Sequence, residues 1–156
     1  MKQRSNIARR RGVTTIEFAL IIPFIFVLVL GMVEFGSIFY SWLSIQKAAQ
    51  VGARFAATGV GDEEGNRLSQ IVAETEKWLT ALDNGAKEIT VSSWPTASAT
   101  GDGVENDPGG PCELVQVSVI YHYHPFTPLV GDVFPEVINL EGHERKLNEP
   151  WKPCGE

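Results

Sequence analysis

Two glutamates stand where an otherwise apolar stretch of this 156-residue chain would least tolerate them. Glu17 comes fifth after Gly12, at the start of the run Phe18–Val33 (FALIIPFIFVLVLGMV), which holds no charge. Glu34 interrupts the run, and FGSIFYSWLSI then continues uncharged to Ile45. A carboxylate in a membrane helix costs about 2.5–3.5 kcal/mol on insertion scales, so a retained one usually has a function. The two glutamates would lie roughly 26 Å apart along a helix, near opposite faces of a bilayer. For Glu34 two readings stay open: a residue at the outer interface, or a helix contact. Gly31 and Gly36 beside it would permit close approach of a second helix.

Other chemistry-bearing residues form weaker patterns. His122 and His124 alternate on one strand face, and His143 is a third imidazole. Neutral imidazole binds zinc well, but no Cys or carboxylate stands at ligand spacing, so no metal site is expected. Asp102, Glu105 and Asp107 lie in a glycine-rich loop without the spacing of a calcium-binding loop, and read as a solvated acidic segment. Neither a G-x-S-x-G nucleophile motif nor a phosphate-binding glycine loop occurs. The expectation is a protein without cofactor or catalysis.

The elements that hold these residues follow from pattern. Around 20 apolar residues in a helix span a bilayer, so residues 13–45 read as a single transmembrane helix. Residues 46–58 are rich in helix formers, with small residues at Ala49, Gly52, Ala53 and Ala56, and extend that helix beyond the membrane. Pro23 removes one helical hydrogen bond and should kink or loosen the span. Gly59–Asn66 is a break. Leu68, Ile71, Val72, Thr75, Trp78, Leu79 and Leu82 then recur at helical spacing, with Asn66 or Asp62 as cap and Asn84-Gly85 as stop. Three strands are predicted: Lys87–Trp94, Glu113–His124 and about Glu136–Glu144. In the second, Val115, Val117, Val119, Tyr121 and Tyr123 share the core face. The fold class is therefore α+β: a long N-terminal transmembrane helix, one amphipathic helix and a small antiparallel sheet of about three strands, with residues 62–156 as an extracytoplasmic domain.

Charge sets the expected orientation. Residues 1–12 carry five basic side chains and no acid, leaving 8 Lys and Arg against 19 Asp and Glu from Val13 onward. A basic flank before an apolar span stays in the cytoplasm. The chain is then a single-pass inner-membrane protein with its C-terminal domain periplasmic or extracellular. Tyr40 and Trp42 suit an aromatic belt at the exit. The acidic body excludes nucleic acid as a partner, because phosphate binding needs clustered Lys and Arg. A cleaved secretory signal is disfavoured by the length of the apolar run. On this topology Cys112 and Cys154, the only cysteines, lie in a compartment that permits a disulfide, and a bond between them is expected; two free thiols are the alternative.

The segment RRRGVTTIEF (residues 9–18) resembles the class III signal sequences of type IV pilins and pseudopilins. More closely, RGVTTIEFALIIPFIFVLVLGMVEFG followed by AAQVGARFAATG is similar to the TadE family, pilin-like proteins of the tight-adherence (Tad, or Flp pilus) machinery. The resemblance is strong over residues 9–59 and weaker in the C-terminal half, where the family ends in strands with a charged finish like Asn139–Lys146. It implies that a prepilin peptidase removes residues 1–12 by cutting between Gly12 and Val13. It also implies that Glu17 pairs with the freed amine of Val13, in its own chain or a neighbour. Val13 in place of Phe or Met, Phe18 in place of Tyr, and the length of the chain favour a minor pilin or pseudopilin over the main filament subunit. Implied partners are the peptidase, other Tad pilins and pseudopilins, the inner-membrane platform of the Tad system and the lipid bilayer. Two rivals remain: a signal-anchored periplasmic binding or sensor domain, and an anchored extracytoplasmic hydrolase.

Overall fold

The computed structural model describes residues 5–95, 98, 101–127 and 135–154, with side chains from Thr15 onward. Helix α1 spans Ser5–Ala57 and passes Pro23 without interruption. Helix α2 spans Arg67–Lys77. Four strands follow: β1 (Lys87–Trp94), β2 (Val104–Glu105), β3 (Leu114–Tyr123) and β4 (Ile138–Leu147). They form one antiparallel sheet in the order β2-β1-β3-β4.

Three of these strands match the expected ones to within a few residues. The fourth, β2, pairs with Ser92 and Ser93 at the end of β1. It lies in the stretch expected to be a plain surface loop, and two residues are too few to show as a pattern. The same stretch is tied down by Asp107, whose carboxylate accepts from Ser93 Oγ at 2.6 Å and from Gly109 N at 3.3 Å. Asp107 thus works as a loop clasp.

Alternation in β3 sets the core. Val115, Val117, Val119, Tyr121 and Tyr123 are all buried, and the residues between them are half-buried. One sheet face packs on α1 and α2, and the other faces outward, as an antiparallel sheet permits. Toward the Tyr123 end, Ile45, Ala48 and Ala49 of α1 meet Leu79, Leu82, Val119, Tyr121 and Tyr123. Toward the Leu114 end, Ala53 and Ala56 meet Ile71, Val91, Val115 and Val117. Each large apolar side chain so buried contributes about 1.5–3 kcal/mol.

Small residues let α1 lie this close. A Cβ on Gly52 would run into Thr75 Oγ1 and come within 3.1 Å of Val117 Cγ1. A Cβ on Gly142 in β4 would lie 3.1 Å from Gln46 N on the α1 backbone. Helix α2 ends at Lys77, earlier than its apolar spacing predicts. Trp78–Leu82 continues as turns, which still deliver Leu79 and Leu82 to the core.

The far end of the domain is closed by a charged knot. Arg67 is buried and donates to Gly109 O and, at 2.8 Å, to Ala56 O. Its guanidinium lies 4.4 Å from the centre of the Trp151 ring. Asp62 accepts from Lys152 Nζ at 2.8 Å and Trp151 Nε1 at 3.2 Å. The Lys152 hydrogen bond, aided by that of Trp151, holds the Asp62 carboxyl below its ordinary range. Cys112 and Cys154 are joined by a disulfide, with Cα atoms 5.7 Å apart, and this fixes the tail beside the knot.

Candidate functional site

Helix α1 divides into two parts along its length. From Thr15 to Val33 no residue is buried. That part rises about 27 Å, close to the thickness of a bilayer's hydrocarbon core. Among the described residues, α1 is the one helix long and apolar enough to cross a membrane. Beyond it, Glu34, Ser41, Ile45, Ala48, Ala49, Gly52, Ala53, Ala56 and Ala57 form a buried stripe against the domain. The domain therefore begins to cover α1 at Glu34, well before residue 46. What the sequence suggests is a free extension of the helix is one wall of the core.

Glu34 is 2% exposed and accepts four hydrogen bonds. Tyr123 Oη donates to Oε1 at 2.6 Å, and Phe126 N to the same oxygen at 3.4 Å. Thr127 donates to Oε2 twice, from N at 3.1 Å and from Oγ1 at 2.8 Å. The last turn of β3 and the segment after it are thus pinned to the helix where the apolar span ends. Buried carboxylates persist only when hydrogen bonding replaces lost hydration. Here the protein supplies that replacement from within one chain. The Tyr123 hydroxyl is pushed up to about 12, first by burial and then by its bond to Glu34.

Glu17 differs in every respect. It is exposed, and no hydrogen bond or ion pair engages it among the described residues. Glu17 stands on the length of α1, Thr15 to Val33, that the domain leaves uncovered on every side. Val27, Leu28, Gly31, Met32, Phe35, Gly36 and Phe39 line an open apolar groove on α1. A Cβ on Gly31 or Gly36 would meet nothing within 4 Å. Glu34 bonds its own domain, whereas both glycines leave room beside them for a second helix. Gly12 and Val13 lie within α1, and their side chains fall outside the described part.

A protein-family model described as TadE-like protein matches residues 12–54. This segment is TadE-like. The match begins at Gly12 and runs along α1 through both glutamates. The TadE-like segment therefore includes the span, the outward groove and most of the stripe under the domain. It stops before α2 and the sheet, so the weaker likeness suggested for Asn139–Lys146 lies outside it. No curated protein and no solved structure matches the chain.

The remaining candidates fall on the sheet. His122 on β3 sits between Asn139 Oδ1, at 2.8 Å from Nδ1, and Glu88 Oε1, at 3.3 Å from Nε2. Asn139 and then Glu88 raise its pKa above the ordinary imidazole value. His143 pairs across from Ser118, and His124 is exposed past the end of β3. Among the described residues no group of three or more His, Cys, Asp or Glu is arranged to hold a metal ion.

Proposed function

We propose that this chain is a minor pilin or pseudopilin of a Tad (Flp) pilus system, acting in assembly or anchoring of pili and so in surface adherence. The match of a TadE-like family model from residue 12 onward carries this reading. A prepilin peptidase removes residues 1–12 between Gly12 and Val13. The mature chain sits in the inner membrane with its N-terminus at the cytoplasmic face and its domain outside. Its work is interaction, not catalysis. Glu17, exposed on the uncovered length of α1, is the group available to meet the new amine of Val13 in its own chain or a neighbour's. Low dielectric strengthens that attraction. Other Tad pilins and the inner-membrane platform are the partners it meets.

Mass spectrometry of the protein, expressed with and without its cognate prepilin peptidase, tests this reading. The expected mature form begins at Val13. A chain that keeps residues 1–12 in the presence of the active peptidase would sink it. A signal-anchored binding or sensor domain is the competing reading, and it predicts full function after the membrane anchor is exchanged. Such an exchange has to spare Glu34–Ala57, because that half of α1 belongs to the domain's core.

A further inference from the structure

The Glu34 carboxylate does more than close a hydrogen-bonding account. It ties the segment after β3 to one level of α1. On the membrane-anchored reading, the unburied length Thr15–Val33 matches the hydrocarbon layer, which puts Glu34 at its outer boundary. Phe126 N and Thr127 N both bond that carboxylate, so the chain after β3 lies at the same depth as Glu34. Thr127 is buried there, whereas Phe126 is 52% exposed. A large aromatic ring displayed at this level is poorly placed for water and well placed for the layer between acyl chains and headgroups.

Neighbouring residues carry the same preference. Phe39, Tyr40 and Trp42 of α1 are all exposed, and the Phe39 and Trp42 rings stack with centroids 5.9 Å apart. They stand about 7–12 Å beyond Glu34 along the axis. Val137, next to the Ile138 that pairs with Tyr123, is a further exposed apolar side chain at this end of the sheet. Charge argues against electrostatic attachment to lipid, since the chain beyond residue 12 is strongly acidic.

We propose that Pro125–Thr127 is an interfacial foot. Phe126 enters the outer lipid interface at the level of Glu34, inward of the α1 aromatics, and Glu34 is the positioning residue that holds it there. The domain then rests on the membrane at a second point besides its helix, with its orientation to the bilayer fixed. The partner is the lipid surface itself, engaged through aromatic insertion and therefore with little dependence on ionic strength. This proposal rests on the membrane-anchored reading above.

The test uses the full chain, disulfide intact, in vesicles of phosphatidylethanolamine and phosphatidylglycerol. Single cysteines replacing Phe126, Val29 or Glu105 carry an environment-sensitive fluorophore. Quenching by nitroxide lipids is compared with quenching by aqueous iodide. The label at 126 should emit to the blue of that at 105, be quenched by nitroxide lipid and resist iodide, at low and high salt alike. A label at 126 that behaves like the one at 105 overturns the proposal. So does one shielded from both quenchers, which would mean a protein neighbour covers the site. If the label at 29 is itself open to iodide, the membrane reading fails and takes this one with it; lipid quenching at 29 but not at 126 defeats the foot alone. Adding Glu34→Gln should increase iodide quenching at 126 and leave that at 29 unchanged. Equal quenching at 126 with and without this change removes Glu34 from the positioning role.

Discussion

Glu34 and Tyr123 lie 89 residues apart in the chain and are joined by a 2.6 Å hydrogen bond, with Thr127 closing the other carboxylate oxygen. Tyr123 and Thr127 are buried, so removing the acceptor leaves unpaired groups behind, not merely a lost bond. Glu34→Ala should destabilise the domain by about 3 kcal/mol. Urea unfolding of the detergent-solubilised chain, followed by tryptophan fluorescence, measures this. An unchanged midpoint would mean water takes over the four bonds and the pin is weak.

The same pair makes stability depend on alkaline pH. Tyr123 has its hydroxyl raised from 10.0 to about 12 in the folded chain. Between those values the unfolded chain releases a proton that the folded one retains. The contribution is fully present below pH 10 and falls as pH rises toward 12. Tyr121, also raised by burial, acts in the same direction. Unfolding midpoints should therefore drop across this window, and Tyr123→Phe should flatten the drop. A slope identical in the variant would assign the effect to other groups.

The disulfide gives a prediction of different origin. Cys112 and Cys154 close a loop with a sequence separation of 42, and opening it restores freedom to the unfolded chain. On the chain-entropy estimate, reduction costs roughly 4 kcal/mol. It also frees the tail that carries Trp151 onto Arg67. Comparing unfolding midpoints with and without reductant, alongside a non-reducing gel, checks both the bond and its effect. Equal midpoints would mean the tail holds without it.

Much of this architecture is visible in residue order, and the exceptions have physical causes. Alternation in Val115–Tyr123 reports a sheet with one buried face, because a period of two survives any tertiary context. The apolar run likewise reports a helix long and apolar enough to cross a membrane. Glu34 is different, since nothing local tells a carboxylate whether its partners come from solvent or from a segment 89 residues later. Its neighbours Gly31 and Gly36 meet no part of the domain, so nothing beside Glu34 in sequence announces the partners it has. Arg67 lies under the same difficulty: a basic residue at a helix start reads as surface, yet it is buried beneath Trp151. The small residues of 46–58 do hint at close packing. Their partner, the sheet, is a tertiary fact.

Close packing at Gly52 has its own test. Gly52→Val would drive two methyl groups into Thr75 and Val117, where no room exists for a single Cβ. Overpacking of this kind costs about 1–3 kcal/mol. The domain should unfold at lower urea while the membrane span still partitions into detergent or vesicles. Gly31→Ala serves as the control, because a Cβ there meets nothing within 4 Å in the isolated chain. Loss of stability in the control but not in Gly52→Val would mean that the contact of α1 with Thr75 and Val117 is not the tight one.

Arg67→Lys tests the knot at the far end. Lysine keeps the charge but cannot reach Gly109 O and Ala56 O together, nor lie flat on the Trp151 ring. Loss of a charged hydrogen bond in a buried site costs about 1.5–3 kcal/mol. Tail release should also change Trp151 emission at denaturant levels where the rest of the domain is still folded. Wild-type stability in the lysine variant would show that the guanidinium geometry is dispensable.

Glu17 yields the prediction closest to function. It is exposed on the length of α1 that the domain leaves bare, so its removal takes no hydrogen bond from the fold. Glu17→Ala should leave membrane insertion and urea stability as in wild type, and even favour insertion slightly by removing a charge from the span. Pilus formation and surface adherence should nevertheless be lost, because the Val13 amine of the mature chain or its neighbour would have no counter-charge. Glu34→Ala should show the opposite pattern, with stability reduced by the loss of its internal bonds. Measuring both variants for domain stability and for pilus number separates a carboxylate that holds the domain from one that serves assembly. Normal pili in Glu17→Ala would remove the assembly role from that residue.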